Sequence, residues 1–373
     1  MASLIVLKNT VFKALPKQST ELDSSQKVDV VQGGVLDIES AELELGHYLV
    51  KLKNGIYPVG TSGYFFAGHV QIEGLSIDVP SKIVRTRKEG RKWFAQMDSG
   101  SEFFVGREVP YKANWGLTNY SDDSAGLYKP AIYRAQYGFW ADFIYPTVVC
   151  ESNGGHFNCL NTYDSAYFTF GFLQYAAHVP NGDFVQFFTK LLKSSLGKGY
   201  FSDLKVEDNQ ILRKTASGTI ALTTNTSTRR LMEYLNPTLA SVEEIEVIQA
   251  AKFVHWSINS QEQRDMQVSF GISHFKQAMQ NYATHYPLDG APDKVCIVVA
   301  DIRHQGRAKS QAIMEALDTD GDWKSAFRKL IELGRDNYKE RITSLKDSIA
   351  NLESTSILGK RVYSKRDKDF VLD

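Results

Sequence analysis

Glu151 and Asp164 bracket a run rich in glycine and asparagine, Cys150-Glu-Ser-Asn-Gly-Gly-His-Phe-Asn-Cys-Leu-Asn-Thr-Tyr-Asp164. The apolar segment Tyr137–Val149 leads into Glu151, so this carboxyl stands where a buried helix gives way to a loop. Burial there favours a carboxyl that keeps its proton. Asp164, between Tyr163 and Ser165 and nearer solvent, is expected to stay ionised. Two carboxyls in unlike surroundings are what glycosidic hydrolysis needs, one to protonate the leaving oxygen and one to activate water or attack. Thr169 follows closely enough for its hydroxyl to hold the attacking water together with Asp164, which makes the expected mechanism inverting.

Polar and aromatic residues surround the pair. Tyr163, Tyr167, Phe172 and Tyr175 offer rings that stack on sugars, although about half of such an alternating set faces a core. His156 and His178 can bind hydroxyls or serve as ordinary packed or surface histidines. A second cluster, Asp301-Ile-Arg-His-Gln-Gly-Arg307, follows the apolar run Val295–Ala300. It supplies Arg303 or His304 as an opposite wall of the cleft, and a helix cap or salt-bridge cluster accounts for it equally well. The substrate-binding set expected from these patterns is Tyr163, Gln174, Tyr175, Arg303 and His304.

In order, these residues resemble the lysozyme superfamily. Glu151 followed by Ser152, a turn-rich excursion, and then Gly171-Phe-Leu-Gln174 looks like the Gly-apolar-apolar-Gln turn of lytic transglycosylases and goose-type lysozymes. The run from Asp164 through Thr169 to Gly171 resembles the Asp-(four residues)-Thr-Ala-Gly segment of family 46 chitosanases more closely. That resemblance implies a Glu acid, an Asp base and a Thr that holds water. Two departures stand out: the two acids are closer in sequence here, and Ala166 lies where those chitosanases carry Arg-Gly.

The elements that must position these residues fall into two kinds. Up to residue 80 the chain reads as short strands, Ser3–Leu7, Val28–Val31, His47–Leu52 and Tyr64–Ile72, separated by Gly33-Gly34, Asn54-Gly55 and Gly60–Gly63. The spacing, with Lys51-Leu-Lys-Asn-Gly55 and Tyr64-Phe-Phe-Ala-Gly-His-Val70, resembles bacterial SH3-like domains, which often accompany cell-wall enzymes. The basic stretch Pro80–Lys92 reads as a solvated linker or exposed strand. Beyond it the pattern is mostly helical. Helices are expected after Asn181-Gly-Asp183 and after Ser241, and one long amphipathic helix is expected from Phe327 to Leu352. Val295–Ala300 is a buried strand or a buried helical turn, and Tyr163–Phe172 alternates as a hairpin strand does.

The predicted fold class is therefore α+β. A small SH3-like β-barrel spans 1–80, a basic linker 81–92, and a mainly helical lysozyme-like domain with a catalytic β-hairpin spans 93–373. Composition limits the function classes. Lys+Arg and Asp+Glu both total 43, so no global basic field exists to hold nucleic acid. No run approaches the roughly 20 apolar residues of a membrane span, and the first residues lack a signal peptide's pattern. A cell wall reached by a route other than the general secretory pathway is the expected place of action, with holin-type release, specialised secretion and cytoplasmic retention all compatible with the same N-terminus. Three cysteines allow at most one bridge, Cys150–Cys159, or three reduced thiols. Asp318-Thr-Asp-Gly-Asp322 fails as a calcium loop, since its glycine comes too early and Lys329 stands where the closing glutamate belongs. No cofactor or metal is expected. The reading is a glycosidase acting on peptidoglycan or chitosan, with a non-catalytic wall-binding or carbohydrate-binding protein as the alternative and a Cys150-dependent peptidase or amidase as a third.

Overall fold

Alternating apolar side chains at Leu4 and Val6, and again at Tyr48, Val50 and Leu52, turn one face of each N-terminal strand into a shared core with Phe12, Ile38 and Phe65. This arrangement comes from a computed structural model that describes residues 2–44, 47–75, 82–120, 122–194, 196–215 and 218–373. The strands are β1 (Ser3–Val6), β2 (Thr10–Lys13), β3 (Lys27–Val30), β4 (Val35–Glu44), β5 (His47–Ile56), β6 (Gly60–Phe66) and β7 (Val70–Glu73). They are ordered β3-β2-β6-β5-β4-β1-β7. The two outer strands, β3 and β7, are not paired with each other, so the sheet is open and the expected closed barrel does not form. Gly63 lets β6 cross β2, because a Cβ there would lie 2.6 Å from the Lys13 carbonyl oxygen. Gly68 interrupts the strand pattern as expected, with a Cβ that would meet the Val84 carbonyl at 2.4 Å.

The basic stretch is a strand pair. β8 (Val84–Glu89) and β9 (Lys92–Met97) form a hairpin that continues into β10 (Glu102–Tyr111) and β11 (Asn114–Thr118), all antiparallel. Its charges are matched across strands, as where Arg87 Nε and Nη2 meet Glu102 at 2.8 and 2.7 Å. Pro80 and Ser81, at the start of the proposed linker, lie outside the described residues. The two-residue strands β12 (Leu160–Asn161), β13 (Thr169–Phe170) and β14 (Tyr175–Ala176) follow, then a three-stranded sheet of β15 (Leu204–Glu207), β16 (Gln210–Thr215) and β17 (Gly218–Ala221). From residue 93 onward helices still carry most of the regular structure, with these strands among them.

The helices are α1 (Pro130–Tyr137), α2 (Trp140–Phe143), α3 (Tyr145–Glu151), α4 (Asp183–Lys193), α5 (Gly197–Tyr200) and α6 (Arg229–Leu235). They continue with α7 (Glu244–Asn259), α8 (Gln261–His285), α9 (Asp293–Gln305), α10 (Ser310–Leu317), α11 (Trp323–Ile331) and α12 (Arg335–Ser354). Val295–Ala300 is therefore helical. The single long C-terminal helix expected from periodicity is two, α11 and α12. Gly334 separates them at φ +79°, and a Cβ there would lie 2.8 Å from the Arg307 carbonyl oxygen. Asp322 caps α11 by accepting from the Lys324 and Ser325 amides, which is the use made of the calcium-like loop. Among the described residues no helix is long and apolar enough to cross a membrane.

By compactness the chain forms two units with limits different from those drawn by composition. Unit one is 1–119, 160–169 and 176–259, and unit two is 120–159, 170–175 and 260–373. Unit one has an aromatic core in which Phe188 of α4 meets Phe253 of α7 at 5.0 Å between ring centroids. In unit two the C-terminal hairpin β18 (Arg361–Ser364) and β19 (Asp369–Leu372) is pinned to α2. Phe370 packs on Trp140 and Phe143, while the Trp140 indole donates to Asp369 Oδ1 at 2.7 Å.

In unit one, Glu244 at the start of α7 gathers the strands beneath it. It accepts from Lys8 Nζ at 2.6 Å, lies 2.9 Å from His69 Nε2 and accepts from the Thr86 hydroxyl. Burial alone would raise this carboxyl, but the bonds from His69, Lys8 and Thr86 outweigh it and hold the pKa at about 2, below its ordinary 4.5. A depressed folded pKa adds stability that is present above the unfolded value and is lost as pH falls toward the folded one. Glu244→Gln is therefore expected to melt below the parent at pH 7, with the gap closing as pH falls from 4.5 to about 2. Melting curves offset equally at every pH would contradict that assignment.

Candidate functional site

Glu151 closes α3, a helix whose Pro146, Thr147 and Val148 are buried. Ser152 ends the helix, its hydroxyl donating to the Phe172 carbonyl at 2.7 Å. Gly154 and Gly155 then turn the chain at φ +105° and +99°. At Gly155 a side chain would press on Tyr128 and Val148 at 3.1 Å. The glycines read as a turn in the sequence do form one, and they leave Glu151 at a fixed helix end.

Inside unit two a line of alternating charges holds this carboxylate. Arg341 of α12 brings Nη2 to 2.7 Å from Glu151 Oε1 and to 2.6 Å from Asp301 Oδ1 of α9. Arg307 Nε reaches the other Asp301 oxygen at 3.2 Å, and the Arg307 and Asp301 side chains are fully buried. His304 Nε2 lies 3.6 Å from Glu151 Oε1 and 3.3 Å from the Leu173 carbonyl. Two carboxylates and two guanidiniums cancel in charge. Burial opposes the charge on Arg341, yet Glu151 and Asp301 together hold its pKa above the ordinary value. Burial lowers that of Arg307, with Asp301 opposing. The neighbouring Cys150 thiol is pushed up to about 12, chiefly by burial and then by Asp301. It is therefore a neutral thiol at physiological pH and a poor nucleophile. Cys150, Cys159 and Cys296 are all free.

The Gly171–Gln174 turn is built as a clamp. Gly171 sits at φ +90°, where a Cβ would lie 2.6 Å from Gln267 Oε1. Gln267 of α8 is fully buried and serves the turn from both ends of its amide. Its Oε1 accepts from the Phe172 amide at 3.1 Å, and its Nε2 donates to the Phe157 carbonyl at 3.0 Å. Gln174 donates to the carbonyls of Gly171 and Cys159 at 2.9 and 3.2 Å. Tyr175 is 2% exposed and donates its hydroxyl to the Gln267 carbonyl at 3.0 Å. Tyr175 therefore packs the core instead of offering a face to sugar, and the Gln174 amide shapes the turn. Arg303, on the exposed side of α9, lies over the Tyr282 ring at 5.9 Å. Of the two candidates in that cluster, His304 is the one beside Glu151.

Tyr163, Asp164 and Thr169 belong to unit one. The expected hairpin strand is instead a turn, because Asp164 Oδ1 accepts from the Ala166 amide at 2.9 Å and Tyr167 takes φ +60°. Only Thr169 and Phe170 are extended, and Thr169 is 7% exposed. Asn236, fully buried, donates to the carbonyls of Thr162 and Tyr167 at 2.9 and 3.1 Å and so ties together the two ends of the Asp164 loop. Tyr163 pairs with Tyr111 at 5.2 Å between ring centroids, and Tyr111 is 43% exposed. Gly116 makes room for this loop, since a Cβ there would meet the Tyr163 amide nitrogen at 2.6 Å.

Beneath the loop lies a group the sequence patterns did not single out. Glu246 of α7 is fully buried, accepts from the Thr162 hydroxyl through Oε1 and has no partner for Oε2. Burial pushes its pKa up to about 8, although the Thr162 hydroxyl pulls the other way. Arg341 and Asn236 were also missed. They stand far along the chain from the acids, in segments with no motif of their own.

Two outcomes follow. A raised carboxyl pKa adds stability that is full below the unfolded value near 4.5 and is lost as pH rises through about 8. Glu246→Gln should match the parent near pH 4.5 and melt higher at pH 9, by an amount on the order of a few kcal/mol. An equal offset at both pH values would refute a buried ionisation. Asp301→Ala strands the buried Arg307 guanidinium and leaves Arg341 only Glu151, and should cost about 3–5 kcal/mol in chemical denaturation, whereas Glu151→Gln leaves both guanidiniums their Asp301 partner and should cost less. The reverse ranking would dismantle the network as described. Compared with protein-family models, curated proteins and solved structures, the chain has no match.

Proposed function

We propose that the chain is a glycoside hydrolase that cleaves β-1,4 linkages in an amino-sugar polymer, peptidoglycan or chitosan, by an inverting mechanism. The roles proposed from the sequence are Glu151 as the acid, Asp164 as the base and Thr169 as the residue that positions water, and a separate variant tests each. The observation that carries this reading is the charge line ending on Glu151. Buried ion pairs add little net stability, because desolvation cancels most of the attraction. A chain that keeps four such groups in a row is better explained by what they hold in place, and perturbed buried charges cluster where function lies. Arg341, hydrogen-bonded to Asp301, sets its guanidinium 2.7 Å from the Glu151 carboxyl at the mouth of a helix. His304 adds a second polar neighbour.

The Asp164 loop supports the base assignment on its own terms. One carboxylate oxygen is committed to the Ala166 amide, which orients the other, and Asn236 holds the loop ends in register. Tyr163 and Tyr111 form a partly exposed aromatic pair next to it, of a kind that stacks on sugar rings. The open N-terminal sheet is proposed as a wall-binding module, which tilts the substrate toward peptidoglycan.

The test is release of reducing ends from chitosan and from purified peptidoglycan by the parent, Glu151→Gln, Asp164→Asn and Thr169→Ala, each confirmed folded by thermal melting. The parent should cut at least one polymer, and the Gln and Asn variants should lose about 10²–10⁴-fold in rate. Thr169→Ala should lose less. Failure of the parent to cut either polymer, or a Glu151→Gln variant as fast as the parent, rejects the enzyme. Retained sedimentation with the polymer would then favour the binding protein.

A further inference from the structure

Unit one contains a cavity of about 350 Å³ that plays no part in the proposed hydrolysis. Strand β2, helix α7 and strand β16 contribute to its walls; Lys13, Lys82, Arg213 and Lys252 with His47 and His69 line it, alongside the carboxylates of Asp203, Glu243 and Glu244. Several of these charges are answered within the protein. Lys82 pairs with Asp98 at 3.4 Å, Arg213 pairs with Asp203 at 3.3 Å, and Glu244 is taken by Lys8 and His69. Lys13 and Lys252 have no carboxylate partner among the described residues.

Lys13 is only 5% exposed, and its ammonium is aimed by the Lys17 carbonyl at 2.7 Å and by His47 Nε2 at 2.8 Å. Lys252 is half-buried and lies 4.9 Å above the Phe201 ring. Burial draws Lys13 down to about 8, against a weaker pull from Glu21, and lowers Lys252 as well. Glu21 and Asp203 attract these two ammonium groups from a distance, but neither closes an ion pair with them, and an ammonium withdrawn from water without a close partner destabilises a fold. Both line the same cavity, which gives them a purpose if a doubly negative group enters. Phe66, Tyr200, Ile245 and Ile248 supply the apolar remainder of the lining. Such a mixture suits a ligand with one charged end and one flat or apolar body.

We propose that this cavity binds a small organic phosphomonoester, its dianionic phosphoryl group placed between Lys13 and Lys252 and its organic body against Phe66 and Tyr200. Neither lysine has an ion-pair partner within salt-bridge distance among the described residues, and two such ammonium groups match the double charge that a phosphate monoester carries near neutral pH better than the single charge of a carboxylate.

The experiment is calorimetric titration of the full chain at pH 7 and low salt with phenyl phosphate and with benzoate, on the parent, Lys13→Met and Lys252→Met. Phenyl phosphate should bind one to one, and benzoate at least tenfold more weakly. Each variant should lose at least tenfold in phenyl phosphate affinity, while its ligand-free melting temperature stays at or above the parent's because a buried unpaired charge is gone. The two lysines lie on separate elements, so either variant alone carries the test if the other does not fold. Absence of phenyl phosphate binding, equal affinity for benzoate, or undiminished affinity in a folded variant would overturn the assignment. Glu151→Gln should bind phenyl phosphate as the parent does, which separates this site from the hydrolytic one.

Discussion

Arg341 has to satisfy two carboxylates at once, and the construction of unit two follows from that. One guanidinium nitrogen stands 2.7 Å from Glu151 and 2.6 Å from Asp301, so α3, α9 and α12 are held at a single point by charge as well as by packing. Asp301 is fully buried and would be intolerable alone, and Arg307 completes its neutralisation from the far side. The break at Gly334 belongs to the same arrangement. The chain there passes so close to the Arg307 backbone that only glycine fits, and the Arg307 guanidinium donates to the Leu333 carbonyl beside it. A straight helix from Phe327 to Leu352 would not deliver that carbonyl.

Unit one solves a related problem with two acids on one helix and reaches opposite answers. Glu244 and Glu246 are both near the start of α7, but Glu244 is half-buried and meets Lys8 and His69 as well as the Thr86 hydroxyl, while the fully buried Glu246 has only neutral donors, the Thr162 hydroxyl and backbone amides. The charge of the donors against depth of burial decides the outcome. The first carboxyl is held near 2 and remains an anion that ties strands together, whereas the second is lifted to about 8 and behaves as a neutral acid under the Asp164 loop. Helix position alone would treat the two alike, since both lie at an N-terminus that favours negative charge.

Glycines and amides, rather than catalytic groups, make up much of what surrounds the proposed acids. Gly116, Gly155 and Gly171 each sit where a Cβ would meet neighbouring atoms at close range. Gln267 and Asn236 are buried amides that spend their hydrogen bonds on loop carbonyls and amides. Buried amides used in this way specify a loop's shape because any other arrangement would leave polar atoms unpaired.

Local patterns were sufficient for features whose cause is local. The helix after Asp183, the helix near Ser241, the end of an apolar helix at Glu151, the turn at Gly154-Gly155 and the interruption at Gly68 were all legible, because periodicity, capping and glycine backbone freedom act over a few residues. Three readings failed. The long C-terminal helix broke at Gly334 through a close approach to distant backbone that period does not register, the alternating Tyr163–Phe172 run became a turn through the local bond from the Ala166 amide to Asp164 that alternation overlooks, and the barrel stayed open. The same holds for function. The types of residue available for acid, base and sugar stacking could be read in order along the chain, but only the folded molecule decided that Tyr175 is core and Gln174 a clamp. It alone set Arg341, nearly two hundred residues from Glu151, as that acid's partner, because ion pairing and burial depend on which segments meet in space.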